Sequence, residues 1–72
     1  MNNKEFYKAL GAALREQREA KDLSQQYIAD KLGVSKMTVS RWESGKRTMS
    51  AKHFLKYCQV VDVNADFIFD RT

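Results

Sequence analysis

The residues whose types and spacing could recognise a ligand lie between positions 36 and 44, in the stretch Lys-Met-Thr-Val-Ser-Arg-Trp-Glu-Ser. At about 100° per residue, a helix here would place Val39, Trp42 and Thr38 on one side. A polar and cationic set occupies the opposite arc of about 140°, and it consists of Lys36, Met37, Ser40, Arg41 and Ser44. Arginine can donate two hydrogen bonds to guanine O6 and N7, lysine can donate to the same acceptors, serine suits several bases, and methionine can contact a thymine methyl. The spacing therefore predicts a helix that offers Lys36, Met37, Ser40 and Arg41 to base edges and buries its valine and tryptophan.

The positive charge of the chain is concentrated on and after this stretch. The 72 residues have a formal net charge of +4, but residues 36–56 alone contain six basic side chains and one acidic one, a net +5. Residues 57–72 have a net charge of −2. Lys46 and Arg47, just beyond the helix, are the type of residue that clamps DNA phosphates without reading sequence. A solvated basic helix face is the alternative interpretation, because such faces are common; the localisation of the charge favours a polyanionic partner.

The composition argues against several other classes of function. One cysteine and one histidine cannot form an internal disulfide or a zinc cage, so we expect no metal and no cofactor. Cys58 lies on an apolar helical stripe and has no base to activate it, which indicates a buried hydrophobe rather than a nucleophile. Without a nucleophile–base pair or a phosphate-cradling glycine loop, an enzyme is not supported. No apolar run approaches the ~20 residues of a membrane span, and no apolar leader opens the chain, so we expect a cytoplasmic protein that binds neither a membrane nor a small molecule.

Apolar spacing and capping residues predict a single all-α domain over residues 1–72, built from five short helices. The first spans residues 3 to about 20, and its inward face consists of Phe6, Leu10, Ala13, Leu14 and Gln17. Gly11 within it marks a close helix contact. Four further helices are predicted to begin after side-chain oxygens that can cap them, those of Ser24, Ser35, Ser50 and Asn64. Gly33 and Gly45 are predicted to end the second and third helices.

The last two helices are the part of the chain for which a second interpretation stays open. The inward stripe predicted for the fourth helix is Ala51, Phe54, Leu55, Cys58 and Val61. The fifth is predicted from Ala65 to about Phe69. Because the valines at 60–63 and the apolar run 67–69 have strand propensity, a small β-hairpin is the alternative.

Two helices joined through Gly33 follow the helix-turn-helix plan, in which the second helix enters the DNA major groove. The chain closely resembles the lambda-repressor-like helix-turn-helix family, the XRE, Cro and phage CI group. The resemblance is carried by Leu23-Ser24-Gln25 and by Ala29-Asp30-Lys31-Leu32-Gly33-Val34-Ser35, followed by Trp42-Glu43-Ser44-Gly45. It extends back to Leu14-Arg15 and forward to Val63-Asn64-Ala65-Asp66-Phe67-Ile68, and so covers nearly the whole chain.

The resemblance implies a role for individual positions. Lys36, Met37 and Arg41 match positions that face base edges in family members, with Ser40 on the same arc. Gln25 matches a glutamine that binds a phosphate and braces the recognition helix. Contacts to the sugar-phosphate backbone are implied for four further residues, namely Ser35, Thr38, Lys46 and Arg47. Arg18 and Glu43 match a pair that joins the first helix to the third in some relatives.

Two positions depart from the pattern of the family. Met49 stands where many relatives have proline after the loop, so the path of this loop is less fixed by its sequence. Asp62 stands where many have glycine before the last helix, and aspartate visits the left-handed region only at some cost.

The carboxyl-terminal run Phe67-Ile68-Phe69 offers more apolar surface than a short terminal helix can bury. Relatives pair through this end, so that two recognition helices lie about 34 Å apart on DNA. We therefore predict a homodimer interface at Phe67, Ile68 and Phe69; the alternative is that all three complete the core. The predicted function is a transcriptional regulator that binds a palindromic operator in double-stranded DNA as a dimer and acts as a repressor. A protein-interaction adaptor or an antitoxin on the same fold is the alternative.

Overall fold

The computed structural model describes residues 1–72 as five α-helices without a strand. They are α1 (Asn3–Ala20), α2 (Gln25–Leu32), α3 (Lys36–Ser44), α4 (Ala51–Val60) and α5 (Ala65–Arg71). The predicted all-α class is confirmed. The β-hairpin alternative is wrong, because residues 61–64 form a turn and α5 continues through 67–69. None of the five helices combines the length and the apolarity that a bilayer span needs.

Each of the last four helices begins at the capping residue predicted for it. The side-chain oxygens of Ser24, Ser35, Ser50 and Asn64 accept hydrogen bonds from the backbone N–H three residues later, over 3.0, 3.1, 3.3 and 2.8 Å respectively. Each of these bonds satisfies an amide that would otherwise lack a partner in the first turn. The local sequence therefore fixes where the helices start.

Two kinds of residue occupy the left-handed region of backbone angles at or just after the helix ends. Gly33 and Gly45 close α2 and α3 with φ angles of +70° and +78°, in the left-handed region where glycine has no steric penalty. After α1 and α4 the same region is occupied by Asp22 at φ 57° and Asp62 at φ 58°. Asp62 thus adopts the backbone conformation that a glycine has in many relatives.

The core lies where α1 packs against α3 and α5, and where α2 packs against α3 and α4. On α1, Leu10, Ala13 and Leu14 are buried as predicted, while Phe6 and Gln17 are half-buried at the edge. Met49 is also buried. The loop between α3 and α4 is therefore anchored by an apolar side chain at the position where many relatives have proline.

The orientation of α4 differs from the predicted stripe. Phe54, Cys58 and Val61 are buried as expected, but Ala51 is exposed and Leu55 is 53% exposed. Tyr57 is fully buried in their place. The cause is a polar partner in the interior, described below, which satisfies the tyrosine hydroxyl and makes its burial favourable.

Candidate nucleic-acid interface

The outward side of α3 carries all four side chains predicted to read bases. Lys36, Met37, Ser40 and Arg41 are exposed, and we call them the α3 outer face. The Lys36 and Arg41 side chains form no ion pair within the protein. Met37 leaves 60% of its surface in solvent, an unusual exposure for an apolar side chain with nothing to cover it.

The opposite side of α3 is held in the core by Val39, which is fully buried, and by Trp42, which is 4% exposed. Two glycines then bring α3 against α1. A Cβ on Gly11 would collide with the backbone carbonyl oxygen of Trp42, and a Cβ on Gly45 would lie 2.5 Å from Cα of Lys8. The close helix contact predicted at Gly11 is confirmed, and it is a contact between α1 and the backbone of α3.

A buried carboxylate ties α3 to the rest of the molecule. Glu43 accepts hydrogen bonds from Arg18 on α1, through Nε at 2.8 Å and Nη2 at 2.9 Å. It also accepts from Gln25 Nε2 on α2 at 3.0 Å and from the hydroxyl of Tyr57 on α4. These four residues are the Glu43 hub. The Arg18–Glu43 pair that the resemblance implied is present, and it is the centre of a network joining four helices.

No buried polar atom of the hub lacks a partner, which is what its burial requires. Arg18 Nη1 donates to the carbonyl oxygen of Leu23 at 2.8 Å, and no buried side-chain nitrogen or oxygen lacks a hydrogen bond. Burial alone would raise the pKa of Glu43, but the hydrogen bonds from Arg18, Tyr57 and Gln25 outweigh it and hold that pKa below its ordinary value. Hydrogen bonding to Glu43 raises the pKa of Arg18. The ion pair therefore stays charged over the physiological range of pH.

Tyr57 is the member of the hub that the sequence did not reveal. Burial raises the pKa of Tyr57, and the hydrogen bond to the Glu43 carboxylate raises it further. Its partner is fourteen residues away, so nothing in the helical spacing of α4 distinguishes a buried tyrosine from an exposed one. The available signal was a tyrosine three residues after Phe54 and four before Val61, and this spacing does not fix the rotation of the helix.

The predicted phosphate-contacting residues lie in three places. Ser35, Thr38 and Arg47 border one cleft, whereas Gln25 lies by the hub, half-buried, with its amide nitrogen on Glu43. Ser35 Oγ and Thr38 Oγ1 are 2.9 Å apart and share a hydrogen bond. Lys46 is exposed but does not line the cleft. Gln25 is therefore placed to brace α3, which is one of the two functions that the resemblance implies for it.

The cleft lies between the beginning of α3 and the loop leading into α4, and its volume is about 530 Å³. Its polar border consists of Ser35, Thr38, Arg47, Thr48, Ser50 and His53; we call it the loop cleft. Between Lys52 and Phe54, His53 lies off the apolar stripe predicted for α4, and this spacing predicts a surface residue. The structure corrects this: His53 is half-buried, and its ring lies 5.0 Å from that of Trp42, because the first turn of α4 packs against α3.

The carboxyl-terminal apolar run divides between core and surface. Ile68 is fully buried, so it belongs to the core of the protomer and its prediction as an interface residue is wrong. The side chain fills the space between helices and has no surface left for a partner. Phe67 and Phe69 are 36% and 48% exposed. Phe69 borders an apolar groove of about 210 Å³, together with Phe6, Tyr7, Leu10, Met49, Ala51 and Phe54.

The remaining candidates for chemistry are isolated. No three histidine, cysteine or acidic side chains lie close enough to hold a metal ion. Cys58 is buried, and its burial raises the pKa of the thiol, which works against thiolate formation. Trp42 is a core residue, as predicted, and offers no stacking surface for bases.

Relatives and solved structures agree with this geometry. Two regulators of Bacillus subtilis (strain 168) are similar to the chain. An uncharacterized HTH-type transcriptional regulator, YqaE, is 33% identical over 55 residues, which are 76% of this chain and 47% of the relative. The SPbeta prophage-derived uncharacterized HTH-type transcriptional regulator YonR is 32% identical over 62 residues, 86% of this chain and 57% of the relative. The chain thus spans about half the length of the curated relatives it matches.

Two crystal structures share the arrangement of the helices. The clp gene regulator ClgR of Corynebacterium glutamicum superposes with a TM-score of 0.88 at 26% identity, over 90% of this chain and 69% of that one. The restriction-modification controller protein C.AhdI of Aeromonas hydrophila gives a TM-score of 0.84 at 32% identity, over 90% of this chain and 98% of that one. The helix-turn-helix family model matches residues 14–68. The chain therefore belongs to the helix-turn-helix family, in its lambda-repressor-like branch, as its motifs predicted.

Proposed function

We propose that the chain binds double-stranded DNA through α3 and regulates transcription as a repressor. The observation that carries this proposal is the division of α3 into two sides. Lys36, Ser40 and Arg41 face solvent with free donors, while Val39 and Trp42 hold the helix from behind. A helix in this state can enter the major groove without rearranging the core.

The proposed contacts separate by their chemistry. Arg41 and Lys36 donate to guanine O6 and N7, Ser40 pairs with a base edge, and Met37 contacts a thymine methyl. Backbone phosphates are taken by Ser35, Thr38, Lys46 and Arg47, and by Gln25 through the amide N–H that Glu43 does not hold. Two relatives named as HTH-type transcriptional regulators, together with a clp gene regulator and a restriction-modification controller, support a regulatory role.

The proposed regulator acts as a homodimer on a palindromic operator. Phe69 is 48% exposed and its ring lies 5.3 Å from that of Phe54 and 6.5 Å from that of Phe6. A second copy would cover this apolar surface together with Phe67, and would place two α3 helices about 34 Å apart, one turn of DNA. The docked dimer represses by occluding polymerase, which requires no catalytic chemistry.

A salt titration tests DNA binding. Mobility-shift or anisotropy titrations with random genomic fragments at ~50 and ~200 mM salt should show a loss of affinity of about three orders of magnitude or more for a dimer with several phosphate contacts. Arg15→Ala is a control that should keep the affinity and the salt dependence of the wild type, because it removes a charge from α1, outside the proposed contacts, where the guanidinium already pairs with Glu19 at 3.3 Å. Affinity that is insensitive to salt would overturn the proposal and favour the adaptor or antitoxin.

Selection of bound duplexes from a random pool then tests sequence reading and symmetry together. A palindrome with half-sites one helical turn apart is expected. Sedimentation of the wild type and of Phe69→Ser, with and without the selected duplex, assigns the contact surface. The serine variant should bind as a monomer with weaker affinity, and an unchanged dimer would place the interface elsewhere.

A further inference from the structure

The single histidine of the chain, His53, lines the loop cleft and has no role in the proposed contacts with DNA. His53 Nδ1 is 3.1 Å from Oγ of Ser50, the residue that caps α4. The hydroxyl can donate to a neutral Nδ1, and its oxygen can accept from a protonated one. Ser50 Oγ also accepts from the backbone N–H of His53 in both cases. The imidazole can therefore gain or lose a proton without losing its partner at Nδ1.

The second ring nitrogen has no partner within the protein. Nε2 forms no hydrogen bond, and because no buried side-chain nitrogen or oxygen lacks one, Nε2 is in contact with solvent. His53 lines the cleft together with Arg47, Ser35 and Thr38. Two nitrogen donors and several hydroxyls meeting in one cleft are a suitable set for an oxyanion.

The charges around the imidazole are all of one sign. Of the residues that line the cleft, Arg47 from the loop is charged and none is acidic, and α3 contributes the uncharged Thr38 and Trp42. On α4 itself, Lys52 precedes the histidine and Lys56 lies nearly one turn beyond it. The positive end of the α4 dipole adds to them. An imidazolium at this position therefore has no acidic partner among the residues that line the cleft.

We propose that the loop cleft binds a phosphate of the DNA backbone and that His53 takes up a proton from solvent as the phosphate arrives, donating from Nε2 beside Arg47. This inference rests on the proposed function and adds a regulation to it. The phosphate supplies the counter-charge that the cleft lacks, so binding and protonation favour each other. DNA affinity then increases as the pH falls, because a proton is taken up when the phosphate binds.

The first test is the pH dependence of DNA binding. Anisotropy of a labelled random-sequence duplex at constant salt should give an affinity about tenfold higher near pH 6 than near pH 8, within the limit of tenfold per pH unit for one proton. His53→Gln keeps a hydrogen-bonding group at the site and should bind with nearly equal affinity at both pH values. Lys52→Gln is the matched control, and it should retain the pH dependence whatever its effect on affinity.

The second test uses the fluorescence of Trp42, the only tryptophan, whose ring lies 5.0 Å from that of His53. An imidazolium quenches indole fluorescence more than a neutral imidazole does, so emission reports the proton without any substitution. Adding the duplex should move the midpoint of the pH titration upward. Inorganic phosphate at an equal phosphate concentration should move it less, because it lacks the other contacts that hold the duplex in place.

The outcomes separate this inference from the function on which it rests. A duplex that binds the wild type equally well near pH 6 and pH 8, or an unchanged pH dependence in His53→Gln, overturns the proposed role of His53 and leaves DNA binding intact. A midpoint that moves with inorganic phosphate but not with the duplex also overturns it, because the cleft would then be a site for the free anion. Failure of the duplex to bind at any pH and at low salt overturns the proposed function itself.

Discussion

The two sides of α3 differ in how an arginine beside them is used. On the inner side the guanidinium of Arg18 makes three hydrogen bonds, two to Glu43 and one to the carbonyl oxygen of Leu23. On the outer side the guanidinium of Arg41 is exposed and forms no ion pair with the protein. Arg18 therefore joins α1 to α3, whereas the N–H donors of Arg41 have no partner in the protein.

The difference follows from the cost of burying charge. A guanidinium taken out of water must recover its hydrogen bonds inside the protein, so Arg18 fixes the geometry of whatever surrounds it. An exposed guanidinium keeps its hydration and can exchange water for a base edge at little cost to the fold. The inner side therefore sets the position of α3, and the outer side is left free to make contacts outside the protein.

The largest effect is expected from removing Glu43, the hydrogen-bond acceptor that the other three residues of the hub share. Glu43→Ala leaves Arg18 buried without a counter-charge and should lower the free energy of unfolding by ~3–5 kcal/mol. That is comparable to all the stability expected of so small a core, so circular dichroism at 25 °C should report a largely unfolded chain. Arg41→Ala, the matched change on the outer side, should alter the unfolding free energy by less than about 0.5 kcal/mol.

Two further measurements check that the loss of stability comes from leaving the buried Arg18 charge without a partner. The double variant Arg18→Met with Glu43→Leu removes both charges and should recover most of the stability. Acid should reproduce the effect in the wild type. Because the folded pKa of Glu43 is lowered, its contribution is complete above about pH 4.3 and is lost as the pH falls through the folded value. Equal stability of the single and double variants would contradict the interpretation.

Substitutions on the outer side should affect binding and leave folding unchanged. Arg41→Ala should weaken binding to a selected operator by ~1–3 kcal/mol and relax the preference at one base pair, because it removes a bidentate contact. Lys46→Ala should weaken all sequences to a similar extent and reduce the salt slope by about one. Titrations of operator and random duplexes at several salt concentrations measure both. If the two variants lost affinity equally for both duplexes, the division between base readers and phosphate clamps would be wrong.

Alkaline pH tests the contribution of Tyr57, which is uncharged in the folded protein. Because the folded pKa of Tyr57 is raised, the unfolded chain releases the phenolic proton first, near pH 10, and stability falls as the pH rises above that value. The free energy of unfolding of Tyr57→Phe should therefore fall less steeply there, by about 1.4 kcal/mol per pH unit. Cys58, whose pKa is also raised by burial, contributes equally in both proteins. Urea unfolding at a series of pH values gives the two slopes, and parallel slopes would show that Tyr57 ionises normally when folded.

The features of the fold that could be predicted are those with a local cause. A capping serine and a left-handed glycine act within four residues, so the beginnings of α2 to α5 and the ends of α2 and α3 follow from short stretches of sequence. The α3 outer face was also predictable, because one helical period places its four residues together. Neighbouring residues are enough to specify these features.

The features that could not be predicted depend on partners far along the chain. Tyr57 turns inward and Leu55 outward because Glu43 supplies an acceptor in the interior. His53 packs on Trp42, and Ile68 takes the interior position between two exposed phenylalanines. In each case packing against another part of the chain decides which side chain is buried, and neighbouring residues do not specify that packing.

The smallest expected effect tests whether burial or pairing determines how much an arginine–glutamate pair contributes to stability. Arg15 and Glu19 pair on the surface of α1 at 3.3 Å, with their side chains 59% and 55% exposed, close to the buried Arg18–Glu43 pair that uses the same two residue types. Water and salt screen the exposed pair, so Glu19→Gln should change the free energy of unfolding by less than about 0.5 kcal/mol. Thermal unfolding at low and high salt measures this difference, which should vanish at high salt. A loss as large as that of Glu43→Ala would mean that the geometry of the pair, and not its removal from water, determines what an arginine contributes to this fold.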